Sequence, residues 1–224
     1  MSESMNSLPT THQLYLIRHG DVDLHPDICY GQLDCTIHGS FTKDISKLSH
    51  YIDKQILPSL SNFDTPLIIS SPLIRCQQLA QGLQAHLKQQ NQKVQLQAIE
   101  AFKEINFGQW EGLSWQEIGQ DQIECWQEQV FDYVFPEGES AADFHQRVNT
   151  AWQQLLTTLN QHKKPQTIIL VLHAGVIRSI LTEFLHMPLQ HSLSLKVDKM
   201  SVSHLAIVPS QLALSRCMSI NLSI

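Results

Sequence analysis

No stretch of this 224-residue chain approaches the roughly 20 consecutive apolar residues that a membrane span needs. Residues 1–12 have neither the basic start nor the apolar core of a secretion signal, so they read as a flexible tail and the protein as cytoplasmic. The five cysteines (Cys29, Cys35, Cys76, Cys125, Cys217) are scattered and form no Cys-x-x-Cys pair, which argues against disulfides and for free thiols. Basic residues are outnumbered, with 15 Lys and Arg against 21 Asp and Glu, and this argues against a nucleic-acid partner or an anionic membrane surface. No Gly-x-Ser-x-Gly surrounds Ser70 and Ser71, so a serine-hydrolase elbow is missing and these two read as turn formers. There is no internal repeat.

The length and the 42% hydrophobic content are enough for a sizeable core, and residues 13–224 read as one α/β domain. Three short apolar runs mark buried strands: residues 14–17, 66–71 and 167–172. Phe41, Ile45, Leu48, Ile52 and Ile56 recur at helical spacing after the first run, as do Leu79, Leu83 and Leu87 after the second. Ser140 and Asp143 form a capping pair ahead of Phe144, Val148, Trp152, Leu155 and Leu159, so a long helix starts near Ser140 and feeds the third strand. A helix then begins near Ala174, and residues 203–208 read as the final strand. The alternation predicts a three-layer α/β/α sandwich with a mostly parallel sheet. The glutamine-rich stretches 77–97 and 116–129 read as solvated helix faces.

Residues 101–146 stand apart. They hold ten carboxylates against Lys103 alone, a local charge of −9 in a chain whose total is −6, and they include Trp110, Trp115, Trp126, Phe131, Tyr133 and Phe135. The segment reads as an inserted acidic helical lobe, with the three tryptophans in its core.

Each strand run ends in chemistry. The first ends in Arg18-His19-Gly20, the second leads to Arg75, and the third ends in His173-Ala174-Gly175. Open α/β sheets bind ligands at these carboxyl ends. Arginine forks match phosphate oxygens, and a helix amino end after His173 adds N–H groups and a positive dipole end. A phosphoryl group held there is open to in-line attack by a neutral imidazole, with a carboxylic acid to protonate the leaving alkoxide. A metal-dependent hydrolase is the rival class, through the alternating His19, Asp21, Asp23 and His25 with His173. Two arginines beside a dication count against it, so neither metal nor cofactor is expected. A catalytically idle binding module is a third class. Of the other histidines, His12, His38, His50, His86, His162, His186 and His191 carry no motif and read as surface groups.

Leu16-Ile17-Arg18-His19-Gly20, Ser70-Ser71-Pro72-Leu73-Ile74-Arg75-Cys76 and His173-Ala174-Gly175-Val176-Ile177-Arg178 resemble, in order, the signature elements of the histidine phosphatase superfamily, which also contains the cofactor-dependent phosphoglycerate mutases. Residues 102–112 resemble its acid-bearing segment and put the acid at Glu104. The resemblance implies His19 as nucleophile, Arg18, Arg75 and His173 on the phosphoryl oxygens, Glu104 as acid and then base, and substrate contacts from Gly31, Gln32, Ala174 and Arg178. Within the superfamily the chain is most similar to α-ribazole phosphatases of cobalamin nucleotide-loop assembly, through residues 30–34, the Glu104 segment, residues 173–178 and 196–199. One departure is His25, where many members carry asparagine. The partner so implied is a small phosphorylated molecule. The oligomeric state is left open, a dimer being one option. A second phosphate would need Lys or Arg that residues 20–42 lack, whereas a flat, uncharged nucleoside could stack on the aromatic lobe while its carboxylates accept ribose hydroxyl bonds. The expected substrate is α-ribazole 5′-phosphate or cobalamin 5′-phosphate, with broad phosphomonoester hydrolysis as the alternative.

Overall fold

The structure is a computed structural model and describes residues 9–37, 39, 41–60 and 65–224. Strands β1 (His12–Arg18), β2 (Leu67–Ser70), β3 (Gln95–Ala98), β4 (Thr167–Leu172), β5 (Val202–Ile207) and β6 (Arg216–Leu222) form one sheet in the order β3-β2-β4-β1-β5-β6. The first four are mutually parallel, β5 runs antiparallel to β1, and β6 antiparallel to β5. All six residues of β4 are buried, as befits a strand paired on both sides and covered on both faces.

Side chains alternate between two cores, as the two-residue period of a strand requires. Leu14, Leu16, Leu170 and Leu172 pack on one face under α5 (Ala141–Asn160) and α6 (Ala174–Phe184). Tyr15, Ile17, Ile169 and Val171 pack on the other under α1 (Phe41–Tyr51), the π turn Ile52–Ile56 that continues it, and α2 (Ile74–Gln89). The expected α/β/α sandwich is therefore present. Ser140 caps α5 by accepting from the Asp143 N–H at 3.0 Å.

Several readings need correction. β1 begins at His12, inside the expected tail, because His12 pairs with Ile207 of β5 and the next amide, Gln13 N–H, donates to Gln166 O at 2.9 Å. His12 is fully buried; His38, like residues 1–8 of the tail, lies outside the described residues. His50, His162, His186 and His191 are exposed, and His86 is paired with Asp53. Residues 95–98 form an edge strand and not a helix face: β3 pairs through its backbone with β2 alone, so its exposed glutamines carry no apolar period. β5 is not the last strand, since β6 extends the sheet. The acidic segment is only partly helical. It holds α3 (Trp115–Ile118), α4 (Gln120–Glu128) and the 3₁₀ turns Glu100–Phe102 and Gly108–Trp110 around a small core of Cys29, Trp110, Ile118 and Phe135. All five cysteines are free, and no described helix is long and apolar enough to cross a membrane.

Leu170 lies fully buried mid-sheet. Leu170→Ala is expected to cost about 2–5 kcal/mol through lost transfer energy and an uncollapsed cavity, read as a lowered urea midpoint. A loss under about 1 kcal/mol would mean that the sheet face under α5 and α6 is loosely packed at this position.

Candidate active site

The sheet register brings the strand ends together. Arg18 is opposite Leu172 in the β1–β4 ladder, so His19 and His173 leave adjacent strands at one level, with ring centroids 5.1 Å apart. His19 is 2% exposed. Its Nδ1 lies 2.8 Å from the Gly20 carbonyl, which can only accept, so Nδ1 carries the proton and Nε2 keeps a free lone pair. Burial first and the Arg75 guanidinium second hold this imidazole well below its usual pKa, against the opposing pull of the Gly20 carbonyl. A Cβ on Gly20 would meet Asp44 Oδ2, which leaves glycine as the residue that fits beside His19.

Arg75, in the first turn of α2, is wholly buried. Its Nε–H donates to His173 Nδ1 (3.3 Å), Nη1 to Leu33 O (2.9 Å) and to Cys35 Sγ (3.6 Å), and Nη2 to Gly31 O (2.5 Å). One of its five N–H groups remains free, so Arg75 does not present an open fork. Gly31 holds a φ of +31° while delivering its carbonyl to Arg75, and a Cβ there would strike Glu111 Oε1. Because His173 Nδ1 accepts from Arg75, its proton sits on Nε2 and is donated to Ser71 Oγ at 2.7 Å. Ser71 thus orients a histidine besides shaping its turn. Cys76 Sγ lies 3.5 Å from the same Nε2, and burial pushes its thiol far up.

Arg18 is the less committed arginine. Its Nη1 donates to Val197 O at 2.7 Å, while its buried Nε has no hydrogen-bond partner among the described residues. An orphaned buried donor costs about 1–3 kcal/mol and is a place where a bound anion would be welcome. The neighbouring Arg178 donates Nε to Leu195 O at 2.9 Å, so one loop braces both cations. That loop is held from β6, where the Asn221 carboxamide contacts the Asp198 N–H (2.6 Å) and carboxylate (2.9 Å).

Glu104 reaches the same place from the acidic segment. Its Oε2 accepts from the Gly175 N–H in the first turn of α6 (3.0 Å), and its Oε1 from the Ile105 N–H (3.1 Å). A Cβ on Gly175 would meet Glu104 Oε1. The Glu104 carbonyl accepts from Gln32 Nε2 (3.0 Å) and Arg147 Nη2 (3.3 Å), and Arg147 also holds Ala101 O, Lys103 O and the Glu139 carboxylate. Gln32 therefore braces Glu104 through its backbone, with its amide facing that carbonyl. Sequence reasoning missed Arg147, Ser71 and Asn221, since no local pattern marks a side chain whose partner is a distant backbone atom.

A cavity of about 340 Å³ adjoins this cluster. Gly31, Glu104, Gly175 and Arg178 line one part; Ile28, Trp115, Trp126, Val130, Phe131, Phe135, Phe144 and Leu193 supply an apolar wall, with His145 and Ser179 among them. His19, Arg75 and His173 lie buried outside its lining. Trp115 and Trp126 are parallel to within 13°, with centroids 6.5 Å apart. Trp110 is core, as expected, whereas these two face the cavity. The expectation that lobe carboxylates meet a ligand's hydroxyls is not met: Glu104 alone of the ten lines the cavity. Glu111 instead accepts from the Gln32 and Phe107 N–H groups, the Glu117 carboxylate accepts from the N–H of Ser114, the cap of α3, and Glu139 binds Arg147. Asp21 pairs with Lys199, and His25 sits beside Asp27 on an exposed loop. Among the described residues no three His, Cys, Asp or Glu side chains converge as a metal site.

The family model of the histidine phosphatase superfamily (branch 1) matches residues 14–219. The adenosylcobalamin/alpha-ribazole phosphatase of Escherichia coli (strain K12) is 25% identical over 194 residues, 84% of this chain and 86% of that protein. Among solved structures, mycobacterial glucosyl-3-phosphoglycerate phosphatase superposes with a TM-score of 0.77 at 21% identity, over 95% of this chain and all of that one (100%). The alpha-ribazole phosphatase from Shigella flexneri superposes at 0.74 with 22% identity, over 95% and 98% of the two chains. At these identities the solved structures speak for the fold.

His19 and His173 are neutral in the fold, while in the unfolded chain they gain protons near pH 6.5. Stability is then full above about pH 6.5 and falls as pH drops below it, by up to about 1.4 kcal/mol per pH unit for each such histidine. Urea midpoints should decline from pH 7 to pH 5 in the wild type and decline less steeply in His19→Gln. Parallel profiles would contradict the buried neutral imidazole.

Proposed function

The chain belongs to the histidine phosphatase superfamily, and from that premise we propose that it hydrolyses small phosphomonoesters through a phosphohistidine on His19. One observation carries the reading: His19 commits Nδ1 to Gly20 O and leaves the Nε2 lone pair free beside two arginines and a second neutral imidazole. Nε2 attacks phosphorus in line as the bond to the ester oxygen breaks, and the Gly20 carbonyl stabilises the positive charge that grows on the ring. Arg18 and the remaining N–H of Arg75 hold the phosphoryl oxygens; His173, expected on those oxygens, has both nitrogens committed and instead fixes Arg75 through Nδ1, and the amino end of α6 at Ala174 adds its dipole. The Glu104 carboxyl protonates the leaving alkoxide. As carboxylate it then takes a proton from water, whose oxygen attacks phosphorus while the N–P bond breaks, returning the electron pair to Nε2 and releasing inorganic phosphate. Arg18, Arg75 and the helix end supply the positive charge that metal ions supply elsewhere, so no metal is required.

For the alcohol, we favour α-ribazole 5′-phosphate or cobalamin 5′-phosphate. The apolar cavity beside Glu104 and its two parallel indoles suit a flat, uncharged ring, and the name of the Escherichia coli relative points the same way. Arg178 is the only Lys or Arg in the cavity lining, which leaves a second phosphate poorly met.

Three measurements test this reading. In EDTA, kcat/KM for α-ribazole 5′-phosphate should exceed that for AMP, 3-phosphoglycerate and fructose 2,6-bisphosphate by about tenfold, or 1.4 kcal/mol. Near-equal values would favour a broad-specificity phosphatase, a tenfold preference for the bisphosphate would overturn the choice of substrate, and activity restored only by a divalent ion would favour metal chemistry. His19→Ala should abolish turnover in a folded protein. Glu104→Gln should cost about 10² to 10⁴ in rate on alkyl phosphates and much less on p-nitrophenyl phosphate, whose leaving group needs little protonation; equal losses would point to positioning instead.

A further inference from the structure

The scheme above leaves one polar pair in the cavity wall unused. His145 of α5 and Ser179 of α6 are hydrogen bonded, Nδ1 to Oγ, at 2.7 Å, and Ser179 is 3% exposed. The bond commits Nδ1 whichever way its proton points. Nε2 remains without a partner among the described residues, in a wall otherwise built of Phe131, Phe144, Leu189 and Leu193. His145 is half-buried, so its unpartnered Nε2 is open to a ligand in the cavity. Burial holds the His145 imidazole below its usual pKa, partly opposed by Glu183, so the ring is neutral near pH 7 and Nε2 can meet an uncharged partner as donor or acceptor. The other charged groups of the lining, Glu104 and Arg178, feel each other and Arg18, and so belong to the reacting end.

We propose that His145, oriented by Ser179, reads the hydrogen-bonding edge of a planar, uncharged nitrogen heterocycle in the leaving alcohol, whose faces lie against Trp115 and Trp126. The assignment rests on the phosphatase reading for where the phosphate sits, but the ring subsite stands apart from the chemistry. A site that hydrogen bonds its ligand discriminates far better than an apolar pocket, so the pair would set specificity and leave the chemical step alone.

Two readouts separate the claims. In turnover, His145→Phe should raise KM for α-ribazole 5′-phosphate about tenfold with kcat nearly unchanged, while both constants for 1-naphthyl phosphate, which has no ring nitrogen, stay close to wild type. Ser179→Ala should act in the same direction more weakly, and His145→Gln, which keeps a hydrogen-bonding group, should recover most of the loss. In binding, unphosphorylated α-ribazole should quench tryptophan fluorescence, with a Kd about tenfold higher in His145→Phe. Equal effects on both esters, no effect on either, or no binding of α-ribazole by the wild type would overturn the inference. Wild-type protein that binds α-ribazole with this His145 dependence yet hydrolyses no phosphomonoester would leave the subsite standing and sink the phosphatase reading alone.

Discussion

A guanidinium cannot shed its charge, so a fully buried arginine must be met by acceptors in fixed places. Arg75 imposes this condition on the site. Its N–H groups take the Gly31 and Leu33 carbonyls from the loop after β1 and Nδ1 of His173 from the end of β4. The first demand bends the chain at Gly31 into a conformation that glycine adopts readily. The second fixes the His173 tautomer, which sends its other proton to Ser71. Burial first, and this charge second, hold both imidazoles well below their usual pKa, so the buried cation organises three segments and adds to what keeps two histidines neutral.

The acidic segment answers a parallel problem. Glu104 must sit against the amino end of α6 although it comes from a stretch with little regular structure. The chain holds it from both sides, through backbone N–H groups on its carboxylate and through Gln32 and Arg147 on its carbonyl. Part of the negative charge in the segment is structural. Glu111 holds the amides of Gln32 and Phe107, Glu139 holds Arg147, Glu117 accepts from the Ser114 N–H in the capping box of α3, and Asp143 accepts from the hydroxyl of Ser140, the cap of α5.

The consequence is a division of the site. The buried end, at the carboxyl ends of the parallel strands, has the charge and the neutral imidazoles that phosphoryl chemistry needs. The cavity wall is mostly apolar, drawn largely from the acidic segment, α5 and the turn after α6. Glu104, Gly31, Gly175 and Arg178 are the seam between them.

The sequence by itself determined the sheet's central strands, the helices that cover them and the position of His19, Arg18, Arg75 and His173 at strand or helix ends, because short apolar runs and apolar residues at helical spacing are local and their ends are abrupt. It also carried the order of motifs that marks the superfamily. Strands whose side chains face solvent, such as β3, left no such pattern and needed the sheet to define them. Only the tertiary structure decided which nitrogen of each histidine carries the proton, that Gln32 and Arg147 brace Glu104, that Asn221 secures the loop behind Arg18, and that His145 meets Ser179 on the cavity wall. Apart from the bond between His19 and the adjacent Gly20 carbonyl, each of these contacts joins residues far apart in the chain, and a hydrogen bond across that separation depends on the register and packing of the whole sheet, which no local spacing encodes.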